Sequence, residues 1–182
     1  FFSIVSLADP YVASAKVAQG RRSTYVAPSP STSPTPAPVD TYALFFPITH
    51  GKVIGDSLYS LKLLKERLRG MLIFGDFNKA MYNITLSEKR LVETEYLLTT
   101  NGDFENVKKS LEASREKIDM ALSLTQRARG ASNIGDLKTA FRKSLDKQRR
   151  LLIYLVGRVS EDKKSAVGDQ LKHILSIESQ VQ

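Results

Sequence analysis

From Asp56 onward, apolar residues return every three or four positions in five stretches separated by short polar or glycine-containing breaks. That spacing marks one face of a helix, and no segment keeps a period-two alternation for long, so the repeating element is helical. The first stretch carries Leu58, Leu61, Leu64, Leu68 and Leu72, with Lys62, Lys65, Arg67 and Arg69 between them. Asp56 stands where an N-cap is needed, Gly75 ends the run, and Asp76 restarts one. Phe77, Met81, Ile84, Leu91 and Leu98 then keep a seven-residue rhythm. Asn101-Gly102-Asp103 reads as a turn followed by a capping carboxylate. A third stripe runs Phe104, Val107, Leu111, Ser114, Ile118, Ala121 and Thr125 to a stop at Gly130. Asn133 or Asp136 caps the next, which holds Leu137, Phe141, Leu145, Gln148, Leu152, Leu155 and Val159. A fifth, from about Glu161, shows Val167, Leu171, Ile174 and Leu175.

Helices are therefore expected near 57–73, 77–99, 104–128, 136–159 and 162–178. Short connections make sequential helices antiparallel. The expected fold class is all-α, an antiparallel up-and-down bundle of four to five helices over residues 41–182. Ser87, Thr94, Ser114 and Gln148 fall on inward positions, which implies a thin core or rotated faces. The seven-residue spacing also permits a coiled-coil hairpin or a homodimer. Residues 41–55, with Pro47, Gly51 and Gly55, read as an extended lead-in packed across the helices.

The segment ahead of the bundle differs in kind. Ala27 to Pro38 holds five prolines in twelve residues. Each ring fixes φ and removes a donor, so a disordered Pro/Ser/Thr-rich linker is expected over 16–40, an extended stalk of roughly 60 Å for twenty residues. Before it, Phe1-Phe2-Ser3-Ile4-Val5-Ser6-Leu7-Ala8 is apolar and Ala13-Ser14-Ala15 offers small residues at peptidase positions. Residues 1–15 read as a truncated signal peptide or an apolar N-terminal segment. The chain starts at Phe1, so a processed or fragmentary start is expected. Signal and stalk together point to an extracytoplasmic, secreted or membrane-tethered protein.

Cysteine is absent, which excludes disulfides, thiolate metal sites and a thiol nucleophile. Neither His50 nor His173 begins a metal-ligand pair at helical spacing, so surface or capping roles are expected of both. There is no phosphate-cradling glycine loop and no nucleophile elbow. Glu88, Glu93 and Glu95 lie beside Lys89 and Arg90 and read as surface helix pairs. No enzyme, metal or cofactor is expected.

Net charge is +8. The segment before residue 41 adds only Lys16, Arg21 and Arg22 against Asp9 and Asp40, so the excess belongs to the bundle. It is densest on the fourth predicted helix, where Lys138, Arg142, Lys143, Lys147, Arg149, Arg150 and Arg158 form a candidate anion-binding face. Such a face suits anionic wall polymer, lipid headgroups or nucleic-acid phosphates. The plainer reading is a solvated helix with snorkelling lysine and arginine stems.

Asp56-Ser57-Leu58-Tyr59-Ser60-Leu61-Lys62, then Leu64-Lys65-Glu66-Arg67, and later Leu86-Ser87-Glu88-Lys89-Arg90-Leu91-Val92-Glu93, resemble the bacterial domain of unknown function 5667 family over about 45–125. Ser57 and Ser60 stand where that family carries prolines. The resemblance implies an exported or membrane-tethered helical domain and brings no functional residue with it. The expected function is a non-catalytic, exported cell-envelope module binding a protein or an anionic surface polymer. The alternative is a nucleic-acid-binding protein using the fourth helix.

Overall fold

The computed structural model describes residues 39–100 and 102–181. The expected signal segment (1–15) and all but the end of the expected stalk lie outside the described residues. The described residues belong to one unit and are all-α, with no strand among them. The helices are α1 (Thr41–Phe45), α2 (Tyr59–Met71), α3 (Asp76–Thr99), α4 (Phe104–Arg127), α5 (Ile134–Val156) and α6 (Glu161–Gln180), with a 3₁₀ turn over Ala128–Gly130.

The five expected helices are present, each within three residues of its expected start and end. Two local expectations need correction. Residues 41–45 form a short helix in place of an extended lead-in. Asp40 caps it, its side chain accepting from the Ala43 amide at 3.0 Å, and Phe45 is fully buried. Asp56 does not cap α2. Its carboxylate accepts the Val53 amide at 2.9 Å and so ties the loop, while Leu58 occupies the cap position. Gly75 adopts φ +80°, a conformation costly for a side chain, at the turn into α3.

Helices α3 to α6 make the bundle. The longest interface joins α3 and α4 antiparallel, since Ser87 meets Ser114 and Ser110 meets Arg90. Arg142 and Arg149 on α5 reach Val181 and Glu178, so α5 and α6 are antiparallel too. By contrast, Arg115 meets Gln170 and Asp119 meets His173, which makes α4 and α6 parallel neighbours. It follows that α3 and α5, also packed together, run parallel. Helices α4 and α5 are consecutive but barely touch, because the chain crosses the bundle diagonal between them. The up-and-down order holds along the chain, but two of the four packed sides are parallel.

The core is leucine-rich around Leu91, Leu111, Ile118, Leu137, Phe141, Leu145, Leu152 and Ile174. The four polar inward positions read from the sequence, Ser87, Thr94, Ser114 and Gln148, are buried, and each side chain makes a hydrogen bond. Ser114 donates to the Ser87 carbonyl at 3.1 Å and Ser87 donates to Gln148 Oε1 at 3.2 Å. Gln148 Nε2 donates to Ser144 Oγ at 3.1 Å, and Thr94 donates to the Arg90 carbonyl at 2.9 Å. Buried hydroxyls and amides with partners are tolerated; unpaired ones would cost about 1–3 kcal/mol each.

Candidate docking surface

Helix α2 contributes no buried residue. At 100° per residue, Leu58, Leu61, Leu64, Leu68, Met71 and Leu72 share one arc, and Tyr59, Lys62, Glu66 and Gly70 share the opposite one. The second, polar arc faces α3. The leucine arc faces away: Leu64 is 50% exposed, Leu68 54% and Leu72 75%, with Phe74 beyond the helix end at 78%. An amphipathic helix in a globular domain ordinarily buries its apolar stripe. Here the stripe points outward, against the expectation that it joins the core.

What holds α2 is a partly buried ion cluster. Lys62 pairs with Glu93 and also donates to the carbonyls of His50 (3.1 Å) and Lys52. Arg90, 2% exposed, donates to Glu93 at 2.6 Å and to Glu66. Lys89 donates to Glu66 at 2.7 Å. The Arg90 guanidinium lies 5.7 Å from the Tyr59 ring centroid. Tyr82 donates to the Glu66 carbonyl at 2.9 Å, and Gly70 lets the two backbones approach, since a Cβ there would meet the Tyr82 ring at 3.3 Å.

Burial acts on Tyr59, Lys62, Glu66, Arg90 and Glu93. It pushes the Tyr59 hydroxyl up to about 12, raises Glu93 against the pull of Arg90 and Lys62, and lowers Lys62. Burial also works to raise Glu66, but the hydrogen bond from Lys89 and the Arg90 charge outweigh it and hold Glu66 below the usual carboxylate range. Burial likewise works against Arg90's charge, but the two carboxylates prevail and raise its pKa.

Glu88 and Glu93, expected on the surface, are buried at 8% and 0% exposure. The reason is that α3 is enclosed on three sides, by α4, α5 and α2. Arg90 and Glu93 sit on a second inward stripe, Leu86-Arg90-Glu93-Leu97, whose flanking leucines are the sequence signal for it. Glu95 is half-buried and raised by burial, with His50 opposing. His50 stacks on Tyr96 at 4.0 Å, and His173 pairs with Asp119 at 2.8 Å. Among the described residues, no group of three or more His, Asp or Glu is placed to hold a metal ion.

The basic residues of α5 do not form one face. Lys138, Arg142 and Arg149 lie along one side of the helix, Lys143, Lys147 and Arg150 along another, and Arg158 follows the helix end. Arg142 donates to the Val181 carbonyl at 3.0 Å, closing the end of α6. Arg149 pairs with Asp146 and lies 3.8 Å from Glu178. Arg150 pairs with Asp146 at 2.8 Å, Arg158 donates to the Tyr154 hydroxyl at 2.6 Å, and Lys147 faces Glu88. Lys138 is half-buried and Lys143 is exposed.

Behind α2, an open groove of about 870 Å³ runs between α2, α3 and α4, floored by Leu86, Ala113 and Leu124 and rimmed by Arg67, Lys79, Lys117 and Arg127. No family model, curated protein or solved structure matches the chain.

Proposed function

We propose that the chain is a non-catalytic, exported module of a bacterial cell envelope that works by docking, with α2 as its contact helix. The carrying observation is that α2 is pinned to α3 by its polar side while its leucine arc is held outward. Exposed contiguous apolar surface rimmed by charge marks an interaction site. A helix kept in the fold through ion pairs is an indirect way to strengthen a core and a direct way to present leucines. The signal-like N-terminus, the proline tract and the family resemblance support an extracytoplasmic location. Arg142, Arg149 and Arg150 on α5, and Arg158 just beyond it, are engaged with partners in the same chain, which weighs against nucleic acid as the ligand.

Fractionating cells that express the full-length gene product tests the location, with recovery outside the cytoplasm expected. Recovery in the cytoplasm, together with duplex DNA binding that falls steeply with salt, would replace this reading with the nucleic-acid one.

A further inference from the structure

We infer that the partner of α2 is an anionic lipid bilayer, on whose surface the helix lies with its leucine arc inserted. The inference rests on the docking role proposed for α2. It adds what the helix docks to.

Charge complementarity carries it. Helix α2 has five charged residues. Lys62 and Glu66 are turned into the ion cluster, and Lys89 and Arg90 engage the carboxylate. The three outside the cluster, Lys65, Arg67 and Arg69, are all basic and exposed, with the Arg69 guanidinium 5.8 Å from the ring centroid of Tyr82 on α3 and Arg67 at the rim of the groove behind α2. By helix geometry they flank the apolar arc on both sides: Lys65 and Arg69 along one border, Arg67 along the other. An apolar arc bordered by cations is the pattern of a helix lying in a membrane interface, where the alkyl stems reach the acyl region and the charged heads remain with the phosphates. The helix is 13 residues long, about 20 Å, and its axis can lie flat. No helix among the described residues is long and apolar enough to cross a membrane, so contact at the surface is the mode available to α2.

Other occupants fit less well. Wall polymer or nucleic acid would satisfy Lys65, Arg67 and Arg69 but offers no apolar phase for Leu61, Leu64 and Leu68. A second copy would cover the leucines. It would also set Lys65, Arg67 and Arg69 beside their own equivalents, with no outer carboxylate on α2 to offset them. The most exposed apolar groups, Met71, Leu72 and Phe74, cluster at one end of the helix; Met71 also lines the groove behind α2, while Leu72 and Phe74 stand outside it. That shape suits insertion between lipids.

The test is co-sedimentation of the full chain with vesicles of phosphatidylcholine alone and of phosphatidylcholine mixed with phosphatidylglycerol. Binding to the anionic vesicles, weakened by salt, is expected, with little binding to the neutral ones. L64Q/L68Q should lower that binding roughly a hundredfold, about tenfold per leucine withdrawn from the acyl region. Lys65→Gln, Arg67→Gln and Arg69→Gln should each lower it about fivefold. K109Q/K172Q, on the exposed surfaces of α4 and α6, should leave it unchanged. All these side chains lie outside the core, and an unaltered thermal melt verifies that each variant is folded. Absence of binding at low salt, equal binding to neutral vesicles, or insensitivity to L64Q/L68Q each overturns the lipid assignment. Sedimentation equilibrium separates the two readings. A dimer abolished by L64Q/L68Q, without vesicle binding, overturns the bilayer as partner and leaves α2 as a docking helix. A chain that neither self-associates nor binds vesicles through these leucines removes both.

Discussion

Glu93 has no exposed surface; one oxygen accepts from Arg90 and Lys62 while the other, buried, has no partner. Such a carboxylate adds little net stability when present but is costly to remove, because it leaves Arg90 and Lys62 without their shared counter-charge. Glu93→Ala should destabilise the fold by about 3 kcal/mol in urea unfolding. Glu88 makes a different test. Burial raises its pKa above the unfolded value, despite the Ser144 hydrogen bond and Lys147. The folded state therefore holds that proton more tightly, and the associated stability, present at low pH, is lost as pH rises through the raised pKa. Glu88→Gln should match the wild type in acid and become the more stable protein at neutral pH, as followed by melting temperature across pH. Glu66 has the opposite sign. Its depressed pKa supplies stability above the unfolded value, lost as pH falls through the folded one.

Helix α2 and the bundle answer to different forces. Leu64→Gln and Leu68→Gln remove no core contact, so each should change unfolding free energy by no more than about 0.5 kcal/mol. Leu152→Ala, at a fully buried site, should cost about 3 kcal/mol. The same division predicts the order of amide exchange. Having no buried residue, α2 should exchange through local opening well before α3 and α5, and Glu66→Ala should speed exchange across Tyr59–Met71 while leaving α5 protected. Helix boundaries were legible because glycines, turn pairs and stripe ends are local features, although the capping bonds expected of Asp56, Asp103 and Asn133 are not made. The short helix α1 was not, because Pro47, Gly51 and Gly55 dominate the window and the burial of Phe45 lies outside it. The direction of the α2 stripe was not legible either: periodicity reports that a helix has two faces and says nothing of which one meets the fold.

Across the whole molecule, α3 decides most of the arrangement. Flanked by α4, α5 and α2, it is buried nearly all round, so it carries a serine–glutamine network toward α4 and α5 and ion pairs toward α2. Phe141, on α5, is fully buried in the core, and Phe141→Ala should cost about 4 kcal/mol, read as a loss of denaturation midpoint with the slope retained. The positive charge follows the same logic of position. Dense in sequence on α5, it is there divided between two sides and drawn largely into contacts with Val181, Asp146 and Tyr154. On α2 the outer charges are fewer and of one sign. The five helices after Asp56, their approximate limits and the all-α class follow from the sequence alone, because each depends on residues within a turn or two of one another. The diagonal crossing from α4 to α5, the enclosure of Glu88 and Glu93, and the outward leucines of α2 were decided only in three dimensions, because each depends on which surfaces of distant helices compete for the same space.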